Sequence, residues 1–208
     1  MKTDDRKSFF DNQLSYNKKE LEEKYPPHWN HLVNDMDSIR RNSEITTFRD
    51  LGCGTGAVCE LMRRYYPKMK YVGYDISDYA ISIAKEQWTS GEFRVMDCNN
   101  MDKFLVPRKG EVLHMSALLD VLENGDAVLE KVCSLGFDHV LIHRVKFNHD
   151  ESVLRYNEQT QAEPQYYHNY DNFGEVVAKH GYNATYHQWD NGVNCFDIRL
   201  IKNENTKT

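Results

Sequence analysis

No stretch of this chain approaches the roughly 20 apolar residues that a membrane-crossing helix needs. The N-terminal Met1-Lys2-Thr3-Asp4-Asp5-Arg6 is also followed by no apolar core of an export signal. No membrane partner is therefore expected. Cysteine is sparse and unpaired in spacing: Cys53, Cys59, Cys98, Cys133 and Cys195 form neither a zinc motif nor a disulfide framework. Free thiols in a reducing compartment, the cytoplasm, are the expectation. Positive charge is short as well, with 26 Lys+Arg against 32 Asp+Glu and a net charge of -6. The total charge thus gives no electrostatic reason to expect a nucleic-acid partner. Internal repeats and low-complexity segments are missing, so a solenoid or a disordered linker is not expected. What remains is a 208-residue chain with 40% hydrophobic residues, enough for one domain with a sizeable core and a short extension.

The extension comes first. Residues 1–44 are polar and charged, but Phe9, Phe10, Leu14 and Leu21 can form the apolar side of one or two short helices. Pro26-Pro27 interrupts that run, and His28 to Ile39 restarts a helical pattern through Trp29, Leu32, Val33 and Met36. The segment reads as a helical cover or as a lid. His28 and His31 lie three apart, yet no third or fourth ligand declares itself, so no metal is expected.

From Ile45 the pattern alternates. Strands are expected at 45–51, 71–76, 93–96, 111–115 and 140–145, with helices at 57–66, 78–88, 117–122, 127–135 and 173–180. Two further strands, 184–189 and 195–201, flank Asn191-Gly192, a hairpin signal. The fold class expected is α/β, a doubly wound, mostly parallel seven-stranded sheet with a C-terminal antiparallel hairpin. It occupies residues 45–204, with a short tail at 205–208. Residues 146–170 are polar and lack a period, and read as a substrate-side insert or as disorder.

The chemistry concentrates in Asp50-Leu51-Gly52-Cys53-Gly54-Thr55-Gly56. Three glycines at alternate positions, between a strand and a helix, make a backbone-lined turn that a ligand can approach closely. The loose dinucleotide spacing is met, but Asp50 sets a negative charge where a diphosphate would lie. A carboxylate there suits a ligand with an ammonium group instead. Acids also fall at the next two strand ends, Asp75 and Asp97. In an open α/β sheet ligands sit beyond these carboxyl ends.

The segment Asp50 to Gly56 closely resembles the first motif of class I S-adenosylmethionine-dependent methyltransferases, and Tyr71-Val72-Gly73-Tyr74-Asp75 matches their second. The resemblance covers roughly residues 45–145. It implies S-adenosyl-L-methionine as cofactor and S-adenosyl-L-homocysteine as product. It further implies that Gly52, Gly54 and Gly56, beside Leu51, admit the methionine portion while Asp50 orients its ammonium. Asp75 would accept the ribose hydroxyls, and Ile76 would pack on adenine. Asp97 would accept the adenine amino group, and the Cys98 N–H would donate to a ring nitrogen. Ser116, in the stretch after the fourth strand, would bound the methionine arm. No Asn-Pro-Pro-Tyr signature follows that strand, which does not support methylation of adenine N6 or glutamine amides.

Methyl transfer from a sulfonium needs alignment more than a conspicuous catalytic group. No catalytic residue is assigned; His143 and His168 are weak candidates for a base, and a structural histidine is the plainer reading of His143. Tyr16, Arg144, Tyr166, Tyr167 and Tyr170 are the substrate-side candidates. The acceptor is expected to enter between Phe9–Tyr25 and Tyr166–Tyr170. A small metabolite or a sugar or lipid precursor is the leading acceptor class. RNA or protein methylation, a catalytically inactive interaction domain and an NAD-dependent oxidoreductase stand as alternatives.

Overall fold

The computed structural model describes residues 3–157, 162–189 and 194–203. The chain divides into two compact units, Met1–Met101 and Asp102–Thr208. The α/β class expected from the alternation is the class observed.

The first unit opens with helix α1, Thr3–Glu22, a single continuous helix. Its only buried apolar side chain among the described residues is Leu21. Helix α2, Pro27–Arg40, begins with proline at its first turn, where a missing N–H costs nothing. It buries Trp29, Leu32, Val33, Met36 and Ile39 on one side. Three parallel strands follow: β1 (Thr47–Leu51), β2 (Lys70–Asp75) and β3 (Gly91–Val95), with β2 in the middle. Helix α3, Ala57–Tyr65, connects the first two and α4, Asp78–Gln87, the next pair. Ser77 caps α4, its hydroxyl accepting the Ala80 N–H at 3.2 Å. Tyr71, Val72 and Tyr74 are all buried, as expected of a strand covered on both faces.

In the second unit β4 (Glu111–Ser116) runs parallel to β5 (His139–Asn148). Strand β9 (Cys195–Lys202) is antiparallel both to β5 and to β8 (Tyr182–Gln188), as the C-terminal hairpin predicts. The Asn191-Gly192 turn itself lies outside the described residues. Two helices complete the unit, α5 (Gly125–Leu135) and α6 (Tyr170–Lys179), each capped by an asparagine side chain.

The described residues carry nine strands, two beyond the seven of the expected sheet. The two additional strands are β6 (Val153–Asn157) and β7 (Ala162–Asn169), an antiparallel pair inside the 146–170 segment read as a substrate-side insert or as disorder. That pairing is built from backbone bonds, which need no hydrophobic period. In place of a helix over 117–122 there is a short 3-10 turn, Leu119–Val121, after Ala117 adopts a positive φ of 50°. Strand β5 is irregular. Its register with β9 shifts between Ile142 and Val145, and Arg144 takes a φ of 64°, the mark of a bulge.

Candidate cofactor site and acceptor-side residues

The glycine turn is held from both sides. All three glycines have positive φ, from 51° at Gly54 to 82° at Gly56, a region that a side chain would strain. The turn's start is pinned when the Gly52 and Cys53 N–H groups both donate to the Tyr74 carbonyl, at 2.7 and 2.9 Å. Farther on, the Trp88 indole donates to the Thr55 carbonyl at 2.7 Å. A Cβ at Gly56 would lie 2.8 Å from Phe93 and 2.9 Å from Trp88, so packing beneath the turn leaves no room for one.

Asp75, at the end of β2, closes the other side. Its Oδ2 accepts the Gly54 N–H at 2.8 Å, and its Oδ1 accepts the Ser77 N–H at 2.9 Å. Each oxygen retains a second lone pair, which is what a vicinal diol requires. Burial pushes the Asp75 carboxyl above its ordinary range, against the pull of the Ser77, Gly54 and Ile76 amides. Ile76 follows with its side chain 63% exposed, an apolar surface beside the carboxylate. Asp97 and Cys98 stand at the end of β3, both half-buried. The Asp97 Oδ1 takes the Asn99 N–H at 2.8 Å, which fixes the carboxylate's direction.

Asp50 is the interior member of the set. It is 2% exposed and accepts the hydroxyl proton of Tyr71, itself buried. Burial first, and then the Asp50 charge, raise the Tyr71 phenol well above its usual value, so it remains the donor. Leu51 is core. Tyr16, on α1, is exposed.

The turn fits a bound nucleoside cofactor on its own terms. Thr55 Oγ1 is buried with no hydrogen-bond partner among the described residues.

In the second unit, Ser116 ends β4 half-buried, paired in register with His143. His143 is buried and its ring meets that of His114 edge-on at 5.1 Å. Arg144 is held by its backbone rather than by an ion pair. Its N–H donates to Asp197 Oδ1 at 2.9 Å, while the Trp189 indole donates to Oδ2 at 2.8 Å. His168 has a different setting. Its Nδ1 lies 2.5 Å from Asp126 Oδ1, and the Tyr166 hydroxyl donates to Asp126 Oδ2 at 3.1 Å. Burial pushes the Asp126 carboxyl up, but its bonds with His168, Ser152 and Tyr166 more than offset this and leave it below the ordinary range. His168 Nε2 is buried with no hydrogen-bond partner among the described residues. Tyr167 lies beneath the Arg155 guanidinium at 4.8 Å and near Lys146 at 5.9 Å, so the aromatic cluster is less free of charge than its sequence implies. Tyr170, the first residue of α6, is exposed.

Several of these contributors were not legible. Gln13 of α1 reaches the turn, its Oε1 accepting the Thr55 N–H at 3.1 Å, and nothing in a polar helix marks it out. Asp126 was hidden in the same way, although Asn124-Gly125 before it is a recognisable helix start. Gly125 admits the His168 ring, because a Cβ there would lie 2.9 Å from its Cε1. Asp120 is buried in the 3-10 turn, 3.7 Å from the Lys146 ammonium.

Comparison with known proteins identifies the family and the fold. A family model described as a methyltransferase domain matches residues 42–199, and the chain belongs to that family. The malonyl-[acyl-carrier protein] O-methyltransferase of Priestia megaterium is 23% identical over 101 residues, 49% of this chain but only 36% of the relative's length. Among solved structures, the amino pentose methyltransferase CalS10 from Micromonospora echinaspora, determined with bound S-adenosylmethionine, superposes with a TM-score of 0.66 at 10% identity. That match covers 92% of this chain and 96% of the other. The plantazolicin methyltransferase BamL gives a TM-score of 0.63 at 15% identity over 93% and 91% of the two chains. The magnesium protoporphyrin IX methyltransferase of Synechocystis PCC 6803 gives 0.60 at 12% identity over 84% and 82%. The fold is that of the class I S-adenosylmethionine-dependent methyltransferases.

Proposed function

We propose that this protein transfers a methyl group from S-adenosylmethionine to a small-molecule acceptor. The observation that carries this reading is the joint engagement of the glycine turn and the β2 acid. Asp75 grips the Gly54 and Ser77 amides and keeps acceptor capacity on both oxygens, at the strand end where open α/β sheets hold ligands.

The residues that would hold the cofactor are Asp50, Leu51, Gly52, Gly54, Gly56, Asp75, Ile76, Asp97 and Cys98. When bound, S-adenosylmethionine supplies a sulfonium methyl that is already electrophilic. The chain's own tasks are then to bind, orient and exclude water. Asp75 accepts the ribose hydroxyls in charge-assisted bonds. Ile76 offers apolar surface to the adenine face, and Asp97 with the Cys98 N–H reads its edge. The buried Asp50 charge favours a ligand carrying an ammonium and no phosphate.

On the acceptor side His168 is the better base of the two histidines. Asp126 holds its Nδ1, which fixes the tautomer and leaves Nε2 to take a proton. His143 is proposed as structural. A small acceptor is supported by two structurally similar proteins, one an amino pentose methyltransferase and the other crystallised with a plantazolicin analogue. The net charge of -6 points the same way.

The test is a calorimetric titration with S-adenosylhomocysteine, followed by incubation with labelled S-adenosylmethionine and cell fractions. Binding together with a labelled small molecule supports the proposal. Binding with labelled protein or nucleic acid and no small product overturns the acceptor class. Failure to bind overturns the site.

A further inference from the structure

We propose that Gln13 is a specificity residue for the cofactor's amino-acid arm. This rests on the glycine turn being the S-adenosylmethionine site. The side-chain amide of Gln13 crosses from α1 to the turn and lies directly on Gly54. Its Oε1 sits 2.5 Å from where a Cβ on that glycine would be, and its Nε2 and Cδ sit at 3.2 Å. The atom facing the turn must be the oxygen, because the Thr55 N–H it meets at 3.1 Å can only donate. The amide nitrogen is thereby the other end of the group, with two hydrogens to give.

The turn's successive amides are thus taken by two side chains from distant parts of the sequence. Gly54 N–H goes to Asp75, and Thr55 N–H goes to Gln13. Asp75 is an acceptor for hydroxyls. Gln13 adds what the acids of the site lack, a neutral donor, and an amino-acid arm carries a carboxylate that requires one. Asp50, with its negative charge, suits the ammonium of the same arm but repels the carboxylate. A neutral amide donor satisfies the carboxylate without weakening the ammonium's attraction to Asp50, as a lysine or arginine there would.

Helix α1 is placed to hold this group steady. Asp11 Oδ1 accepts the Tyr79 hydroxyl at 2.8 Å, Lys18 donates to Gln87 at 2.6 Å, and Arg64 donates to the Leu21 carbonyl at 2.6 Å. These contacts lie on either side of Gln13 along the helix. They fix its backbone, so only the side-chain torsions need ordering when a ligand arrives.

The test compares two ligands on the full chain by titration calorimetry. S-adenosylhomocysteine carries the amino-acid arm, and 5′-methylthioadenosine carries the adenosine and thioether without it. Gln13→Ala should weaken S-adenosylhomocysteine by about 10-fold or more, the range for a hydrogen bond to a charged group. It should leave methylthioadenosine within about two-fold. Gln13→Glu retains an oxygen for Thr55 but removes the donor and adds repulsion, so its loss on S-adenosylhomocysteine should exceed that of alanine. Circular dichroism and thermal midpoints of each variant confirm the fold. Equal losses for both ligands, no loss for either, or full affinity in Gln13→Glu would overturn the proposal while leaving the cofactor site standing. If the wild type binds neither ligand, the site reading and this proposal fall together.

Discussion

Single carboxylates set much of the behaviour expected here. Asp75→Ala removes two charge-assisted bonds to ribose, and should weaken S-adenosylhomocysteine by roughly 100-fold. Equal affinity in wild type and variant would refute the site. Because burial raises the Asp75 carboxyl above 3.8, the proton returns at a higher pH than on a free aspartate. Binding that needs the carboxylate should therefore decline as pH falls through that raised value, which titrations at successive pH values will show. The linkage to folding has the opposite sense. The native state binds this proton more tightly than the unfolded chain, so in the window above 3.8 this group's contribution to stability falls as pH rises. Asp126 behaves conversely. Its carboxyl is held below 3.8, so its contribution is fully present above that value and is lost as pH falls through the lowered one. The same pair provides the test of the base. His168→Ala should reduce the single-turnover methyl-transfer rate by about 100-fold while sparing cofactor affinity. Asp126→Asn should reproduce a large part of that loss by freeing the ring. Unchanged rates in both would make the pair purely structural.

At the level of elements, the strand-turn-helix unit β1–α3 is held by close packing, whereas α1 is held chiefly by side-chain hydrogen bonds. Gly56 combines a φ of 82° with close contacts to Phe93, Trp88 and Ala84. Gly56→Ala should cost about 2–5 kcal/mol, from left-handed strain together with overpacking, read as a shift of the urea midpoint. A variant as stable as wild type would mean that the turn has slack. Helix α1 is bound to its unit chiefly by side-chain bonds, and Leu21 is its one buried apolar residue among those described. Deleting residues 1–24 should preserve the circular dichroism of the remainder yet reduce S-adenosylhomocysteine affinity at least as far as Gln13→Ala. Loss of folded structure on deletion would show instead that α1 is integral to the unit. Which elements were legible follows from what makes each one. Strands β2 and β4 are buried on both faces and declare themselves as largely apolar runs. Strands β6 and β7 do not, since their register rests on backbone pairing and two of the buried residues there, His168 and Asn169, are polar. The bulge at Arg144 depends on Asp197, 53 residues away, and no local pattern carries that. Gln13 likewise matters through Thr55, 42 residues distant, on a helix whose composition is mostly polar.

For the molecule as a whole, charge and size bear on the acceptor more than any one residue does. Nucleic-acid binding at physiological salt draws largely on cations that neutralise phosphates. This chain has 26 basic residues against 32 acidic ones, and several of the basic ones are already committed. Arg63 and Arg64 both pair with Glu60, at 2.7 and 2.9 Å. Lys70 and Arg94 both pair with Glu92, at 2.8 and 2.9 Å. Arg155 and Lys146 flank Tyr167 and form the nearest approach to a cationic aromatic surface, but two cations supply little of the electrostatic affinity that phosphate tracking needs. No helix of the described residues is long and apolar enough to cross a membrane. These properties predict that label from S-adenosylmethionine will appear in the metabolite fraction, and that raising salt from 50 to 200 mM will change the rate by less than about three-fold. A phosphate-tracking enzyme would lose far more, on the order of 10³-fold in affinity for six or more phosphate contacts. A steep salt dependence with label in nucleic acid would reverse the acceptor assignment while leaving the cofactor site, which is read from Asp75 and the glycine turn, in place.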